Sequence, residues 1–343
     1  AAAYKRDFIV SNYTSENGLI NNSSRSVFAD RENNIWISTF GSGVSKISTA
    51  KFPTRTVSEG LIDNTPGPLL EDLAGRIWVG TNNGISIIES RNDPNSPIRY
   101  TIRNLERRSG LPHLNVFDFC MGKEGTVWVA TEDGVARFNS GIFTPYPDKS
   151  ILSNSNTRQI EFDDKGNLWI GTVSGLNRLT EKGNQIFTTK DGLPNDYIRK
   201  IIKDHNGNLW IGTNNGLCRI DRGELSKPLP KISNFTGLDL PEKIINELHE
   251  DRQHNLWIGS DDALLRLELN DEYDYKNLTA INLKEAGFIN TIINCIDQDA
   301  SGFLWIATSR GLHQFDPQKL RVVNVYRKSD GLAGNEGSLC DAM

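Results

Sequence analysis

The sequence predicts an all-β fold, a seven-bladed β-propeller of four-stranded antiparallel blades, on three observations. All seven tryptophans of the 343-residue chain stand in copies of one motif, at Trp36, Trp78, Trp128, Trp169, Trp210, Trp257 and Trp305. Successive copies are 41 to 50 residues apart, a period typical of propeller blades. No segment keeps the apolar period of a long helix.

Each repeat divides into four short runs of β-branched and aromatic residues, separated by turns rich in Gly, Asn and Asp. In the fifth repeat these runs are Tyr197–Asp204, Leu209–Thr213, Leu217–Asp221 and Lys231–Gly237. Runs joined by such turns form antiparallel hairpins. We therefore expect one blade per repeat.

The same pattern predicts the domain organisation. Residues 1–343 are expected to form a single propeller, because the motif copies span the chain from end to end. Residues 1–14 contain an unmatched fourth strand, which we expect to close the ring as an outer strand. Residues 337–343 are expected to begin a following, truncated element.

Fixed distances from the tryptophan explain why the motif recurs. Six residues before it, every repeat but the third has an aspartate: Asp30, Asp72, Asp163, Asp204, Asp251 and Asp299. An aspartate that opens a turn can bond its own backbone two residues on. The position two residues after the tryptophan is always small, which allows neighbouring blades to approach closely. The residue three after it always carries a hydroxyl group. These positions are expected to be scaffold.

Composition excludes several classes of function. The net charge is −5 with both signs interspersed, so no basic field attracts nucleic acid. No apolar run approaches the ~18–20 residues needed to cross a bilayer, so we expect no direct membrane insertion. The four cysteines lack metal-like spacing. One aspartate per turn offers too few of the about 6–8 oxygen ligands that calcium takes. No cofactor or metal is therefore expected.

The pattern D-x-x-G-x-L-W-I-G-T-x-x-G-L-x-R, with D-G-L-P-x-N between repeats, resembles the two-component regulator propeller repeat family over residues 8–340. The resemblance implies the periplasmic sensor part of a hybrid two-component histidine kinase, whose membrane helix, kinase, receiver and DNA-binding domains lie elsewhere. It also implies an oligosaccharide or other small ligand, further sensor domains as partners, a homodimer, and no catalysis by this chain.

Ligand specificity is expected where equivalent positions differ between blades. Eleven residues before each tryptophan, at one mouth of the central channel, stand Arg25, Gly67, Phe117, Arg158, Arg199, Asn246 and Asn294. Strand alternation would put this position on the same face as the apolar residue nine before the tryptophan. Its arginines and asparagines form a donor-rich rim suited to an acidic or hydroxylated glycan. The predicted ligand-binding residues are Arg25, Arg158, Arg199, Asn246, Asn294 and, from connections on the same face, His113, Tyr197 and Arg310.

Two other functions stay open on the sequence. In a purely structural interpretation, the arginines pair with Glu161, Glu247 or Asp262 between blades and hold the ring together. The first alternative function is an interaction or dimerisation platform that binds no ligand. The second alternative is an enzyme similar to the streptogramin lyases, propellers that use a histidine with Mg²⁺. The five histidines fall at different positions in their blades, and their spacing indicates no acid–base pair. His205 and His254 fall in scaffold turns, where no function is expected.

Overall fold

The computed structural model describes residues 24–32, 34–39, 43–47, 54–90, 100–146, 148–181, 183–235, 244–269, 278–288, 292–309 and 311–326. These residues form seven antiparallel sheets of four strands, and each sheet is built from consecutive strands of the chain. The predicted ring-closing strand at 1–14 and the predicted element at 337–343 lie outside the described residues. No helix in the described part is long and apolar enough to cross a membrane.

Every sheet is ordered from its first strand to its fourth along the chain. The first strands are β1 (Ser24–Ala29), β5 (Pro66–Glu71), β9 (Val116–Met121), β13 (Thr157–Phe162), β17 (Ile198–Lys203), β21 (Ile245–Glu250) and β25 (Ile293–Gln298). The second strands are β2 (Ile35–Thr39), β6 (Ile77–Thr81), β10 (Val127–Thr131), β14 (Leu168–Thr172), β18 (Leu209–Thr213), β22 (Asn255–Ser260) and β26 (Leu304–Thr308).

The third and fourth strands complete each sheet. The third strands are β3 (Gly43–Ile47), β7 (Gly84–Ser90), β11 (Gly134–Asn139), β15 (Gly175–Thr180), β19 (Gly216–Ile220), β23 (Leu264–Glu268) and β27 (Gly311–Asp316). The fourth strands are β4 (Thr54–Arg55), β8 (Tyr100–Leu105), β12 (Ile142–Pro145), β16 (Gly183–Phe187), β20 (Ile232–Asn234), β24 (Leu278–Ile281) and β28 (Arg321–Tyr326). Short 3-10 helices lie at Val57–Glu59, Arg107–Ser109, Lys123–Gly125, Lys149–Ile151 and Thr189–Asp191.

The seven first strands close into a ring around a common axis. Each first strand contacts the first strand of the next blade, from β1 through β5, β9, β13, β17 and β21 to β25, and β25 contacts β1. The predicted seven-bladed, all-β fold is therefore confirmed. In the fifth repeat the predicted second strand, Leu209–Thr213, has the observed bounds.

Each aspartate of the motif holds the turn between the first and second strands and also fixes the tryptophan. In six blades the indole Nε1 donates to the aspartate Oδ2 at 2.7 to 3.0 Å. In the fourth blade, Asp163 Oδ1 also accepts from the backbone N–H groups of Lys165 at 3.0 Å and Asn167 at 2.9 Å. The turn bond was expected from the sequence, whereas the bond to the tryptophan was not.

The hydroxyl and small positions act as the sequence predicts. Thr172 Oγ1 donates to the Gly175 carbonyl at 2.9 Å and accepts from the Ser174 N–H at 3.0 Å, which closes the turn between the second and third strands. A Cβ atom on Gly171 would lie 2.5 Å from Ile198 Cγ2 in the first strand of the next blade. A small residue therefore lets these two blades pack in direct contact.

The hydrophobic core lies between blades. Trp78 of the second blade is fully buried and packs edge-on against Phe138 of the third blade, with ring centroids 4.9 Å apart. Equivalent clusters join each tryptophan to apolar residues of the following blade. The described cysteines are free thiols; Cys120 and Cys218 are buried, and Cys295 is half-buried.

Candidate functional site: the central channel

Each first strand is interrupted at the position eleven residues before the tryptophan. In β13, Thr157 pairs with Thr172 and Gln159 pairs with Gly171, so that Arg158 is the extra residue of a β-bulge. The same break in register occurs in the other six first strands, at Arg25, Gly67–Pro68, Phe117, Arg199, Asn246 and Asn294. A bulge interrupts alternation and redirects a side chain. Simple strand alternation, which predicted that this position shares a face with the residue nine before the tryptophan, therefore does not describe it. The position is instead the extra residue of a bulge.

These bulges border a cavity of about 480 Å³ at the axis of the ring. The cavity brings together six of the eight predicted residues: Arg25, Arg158, Arg199, Asn246, Asn294 and Tyr197. His113 does not border it. That imidazole accepts from the Asn115 N–H at 3.1 Å and lies 3.7 Å from Glu132. Arg310 lies outside the described residues.

Two aromatic rings position the arginines of the fourth and fifth blades. The Arg158 guanidinium lies over the ring of Phe117, 4.1 Å from its centroid, and 5.6 Å from the centroid of Tyr197. The Arg199 guanidinium also lies over the ring of Tyr197, 5.5 Å from its centroid. Cation–π contacts of this kind contribute about 0.5–2 kcal/mol each. They hold the planar guanidinium groups in a fixed orientation at the mouth.

Side chains from the turns between second and third strands reach the same mouth. Arg25 Nη1 donates to Asn82 Oδ1 at 3.3 Å, and Asn246 Nδ2 donates to Asp261 Oδ1 at 2.9 Å. Arg199 Nε donates to Asn214. These turns therefore open at the end of the ring where the bulges lie, as the sequence predicts.

Asn294 differs from its neighbours at the mouth. Its side chain is 3 % exposed and borders the cavity, yet neither Oδ1 nor Nδ2 has a hydrogen-bond partner among the residues that the structure describes. A buried amide without a partner costs about 1–3 kcal/mol for each unsatisfied group. Such a group in a cavity is expected to bond to water or to a ligand.

A second layer lies one residue deeper, ten residues before each tryptophan, and the sequence prediction missed it. Lys200 Nζ of β17 lies 2.8 Å from Glu247 Oε1 of β21, in the neighbouring blade. Asp118 of β9 occupies the same position, and its Oδ2 accepts from the Ile160 N–H at 3.0 Å. Glu247, which the sequence offered as a partner for the arginines, is 4 % exposed and pairs with Lys200. Lys200, Glu247 and Asp118 all stand ten residues before a tryptophan, and this shared position could have indicated the layer from the sequence.

Burial shifts the pKa of several titratable groups that border the cavity. It raises the pKa of Asp118 to about 7, although Lys200 opposes the shift, and it raises the pKa of Asp297 to about 6. Burial lowers the pKa of His249 to about 4. Burial alone would lower the pKa of Lys200, but its anionic neighbours, Glu247 foremost, raise it above its usual value. Near the firmly charged Lys200, the channel thus holds two carboxyl groups, Asp118 and Asp297, whose pKa values burial raises toward neutral pH.

Fold and channel together define the chain as a seven-bladed propeller with a polar axial cavity. Five segments, residues 18–41, 110–133, 151–174, 192–215 and 287–310, match the family model described as "Two component regulator propeller". These five segments therefore match repeats of the two-component regulator propeller family, and the resemblance noted from the sequence is confirmed. No curated protein sequence matches the chain.

Solved structures share the fold. The extracellular domain of BT3049 from B. thetaiotaomicron, assigned to a hybrid two-component system, has a TM-score of 0.71 and 23 % identity over 88 % of this chain. The corresponding domain of BT4673 from the same organism has a TM-score of 0.62 and 19 % identity over 90 % of this chain. The chain spans 40 % and 48 % of the length of these two domains.

An enzyme shares the fold as well. A catalytically inactive variant of virginiamycin B lyase from Staphylococcus aureus, solved with quinupristin, has a TM-score of 0.63 and 17 % identity, covering 84 % of this chain and 92 % of the lyase. Because the same fold occurs in extracellular domains of two-component systems and in a lyase, function must be argued from the residues of the channel.

Proposed function

We propose that the chain is the ligand-recognition propeller of a periplasmic sensor in a hybrid two-component signalling protein. In this proposal the mouth of its channel binds an acidic oligosaccharide, and domains outside the chain relay binding to a cytoplasmic histidine kinase. The two-component regulator propeller repeats and the likeness to extracellular domains of hybrid systems support the class. The chemistry of the channel mouth supports the ligand.

The observation that carries this proposal is the buried amide of Asn294 at the edge of the cavity. An amide offers both a donor and an acceptor, which matches the hydroxyl groups of a sugar. A ligand hydroxyl that bonds to both amide atoms would remove the cost of leaving them unsatisfied.

The charge of the mouth supports an acidic ligand over a neutral one. The seven bulge positions carry three arginines and no carboxylate. A guanidinium group held on aromatic rings, as Arg158 is on Phe117 and Tyr197, presents planar donors that match a carboxylate or sulfate in pairs. Asp261 accepts a hydrogen bond from Asn246 at the same mouth. Uronic acids and sulfated sugars combine the required anionic group with hydroxyls.

Matched pairs of oligosaccharides test the ligand class. Uronic-acid and sulfated oligosaccharides, each with its neutral counterpart, are added to the chain while the unfolding temperature is measured. We expect the acidic member to stabilise the fold in a concentration-dependent way, by about 2.7 kcal/mol at one hundred times its Kd. Stabilisation by the neutral member alone would contradict the charge argument. Silence across all pairs would contradict ligand binding and favour the interaction platform.

A further inference from the structure

The turns between first and second strands make a recurring contact with the next blade. The Arg31 N–H donates to Glu71 Oε2 at 2.9 Å, and the Arg31 guanidinium lies 3.2 Å from Glu71 Oε1. At the boundary of the sixth and seventh blades, the Arg252 N–H donates to Gln298 Oε1 at 2.9 Å. The turn residue five before one tryptophan therefore contacts the residue seven before the next tryptophan. This contact joins neighbouring blades at the end of the ring opposite the channel mouth.

Histidine takes the place of arginine at the boundary of the fifth and sixth blades. The His205 N–H donates to Glu250 Oε2 at 2.8 Å, which reproduces the backbone contact seen at the two boundaries above. Here, however, the imidazole Nδ1 of His205 contacts Glu250 Oε1. A cationic guanidinium cannot bind a metal ion, whereas a neutral imidazole nitrogen can.

A second imidazole contacts the same carboxylate oxygen. His254 Nδ1 lies 3.0 Å from Glu250 Oε1, and the rings of His205 and His254 stack with centroids 3.7 Å apart. The ligand atoms of the three residues all lie within 4.8 Å of one another. The side chain of His254 is 52 % exposed, so that the cluster is open to solvent.

His254 adopts a backbone conformation that glycine supplies in other blades. Its φ is 62°, in the left-handed region, and the equivalent residue three before the tryptophan is glycine in five of the seven repeats. The turn thus accepts glycine without change of path. Glycine at this position offers a variant that removes one imidazole and keeps the turn.

We propose that His205, Glu250 and His254 bind a divalent transition-metal ion, with Zn²⁺ as the expected ion. Two imidazole nitrogens and one carboxylate oxygen are ligands that zinc accepts at about 2.0–2.2 Å, with a fourth position left for water. Ligands at that distance around a tetrahedral ion lie about 3.3 Å apart, close to the 3.0 Å between His254 Nδ1 and Glu250 Oε1. The bond from the His205 N–H to the second carboxylate oxygen orients the ligand.

Calorimetric titration of the chain with Zn²⁺ tests this site, and Co²⁺ reports its coordination through visible absorption. We expect one ion per chain in this site and a Co²⁺ spectrum typical of four-coordinate geometry. His254→Gly should weaken Zn²⁺ binding at least tenfold and abolish that spectrum, while urea unfolding shows that the variant stays folded. His205→Arg, which recreates the Arg31–Glu71 contact, should give the same loss. His113→Ala, at a histidine beside Glu132 in another part of the ring, serves as the matched control.

The titration also defines what overturns the site. If the chain shows no saturable Zn²⁺ binding, the three residues form a hydrogen-bonded contact between blades and nothing more. If binding persists unchanged in His254→Gly and His205→Arg, the ion lies elsewhere and the assignment is wrong. Neither result bears on the channel mouth, since Glu250 borders the same cavity but lies at the opposite end of β21 from Asn246.

Discussion

Replacement of Lys200 with methionine is expected to lower the free energy of unfolding by about 3–5 kcal/mol at pH 8. The Lys200 ammonium lies 2.8 Å and 3.1 Å from the two oxygens of Glu247, which is 4 % exposed. Methionine fills a similar volume but removes the cation, which leaves a buried carboxylate without its partner. Urea unfolding of the variant and the parent chain measures the difference.

The cost of Lys200→Met should shrink as the pH falls. Burial already raises the pKa of Asp118 to about 7 in the parent chain, so its folded form binds a proton more tightly than the unfolded chain between about pH 4 and 7. The stability contributed by this group is fully present below about pH 4 and is lost as the pH rises from there to about 7. Removal of Lys200 takes away an opposing charge and raises the pKa of Asp118 further. Protonation at pH 5 should therefore offset much of the cost seen at pH 8.

A double variant separates loss of the ion pair from loss of packing. Lys200→Met with Glu247→Leu removes both charges and should recover most of the stability. Lys149→Met, in the exposed pair with Asp133, should cost less than about 1 kcal/mol. A Lys200→Met cost as small as that of Lys149→Met, or one that does not change with pH, would show that the channel is well hydrated and the pair contributes little.

Replacement of Asp204 with alanine is expected to lower the free energy of unfolding by about 3–5 kcal/mol. Asp204 is 3 % exposed and accepts from Trp210 Nε1 at 2.8 Å, from the Asn208 N–H at 2.8 Å and from Asn208 Nδ2 at 2.9 Å. Alanine would leave three donors buried without an acceptor. Chemical unfolding monitored by tryptophan fluorescence measures the loss.

Two further variants locate that loss in the hydrogen bonds. Asp204→Asn keeps an acceptor oxygen and should cost less than alanine. Trp210→Phe in the Asp204→Ala background removes one unsatisfied donor, so the two changes together should cost less than their sum. Strict additivity would mean that the bond between Trp210 and Asp204 contributes nothing. The third blade has Gly122 at the aspartate position, and a Cβ there would lie 2.7 Å from Trp128 Nε1, so this indole occupies the space that the aspartate takes elsewhere.

The blades could be predicted from the sequence because each is specified locally. A tryptophan and, three residues later, a threonine or serine recur in every repeat, and a second strand such as Leu209–Thr213 follows directly from the pattern. Repetition also made the ring predictable, since seven similar units are expected to pack against their neighbours through the same contacts. The bond from Trp210 to Asp204 could also have been predicted from the sequence, because the six-residue spacing is constant across a tight hairpin.

The channel was predicted less completely because its geometry depends on a bulge. The bulge residues include Arg25, Phe117 and Asn246, and no shared residue type marks the break in register. Alternation therefore led to residues that the structure gathers at the cavity, but it did not predict the bulge that places them there. The deeper pair of Lys200 and Glu247 was missed because its partners come from different repeats.

The histidine cluster shows the same limit more clearly. His205 and Glu250 stand 45 residues apart, in different repeats, and only the closed ring brings them together. The general contact between the turn of one blade and the first strand of the next, seen for Arg31 and Glu71, would have indicated the pairing. Without that contact, a histidine in a turn has no visible partner in the sequence.

The measurement to make is the affinity of the chain for an acidic oligosaccharide in the Arg158→Ala variant. Arg158 borders the cavity and lies over Phe117, and Arg222→Ala, at an arginine whose side chain is 59 % exposed beside Asp164, is the control. If the channel mouth binds the ligand, calorimetry should show at least about a tenfold loss for Arg158→Ala, which corresponds to 1.4 kcal/mol, and no change for Arg222→Ala. Equal affinities for Arg158→Ala and the parent chain would place recognition outside the channel and contradict the proposed function.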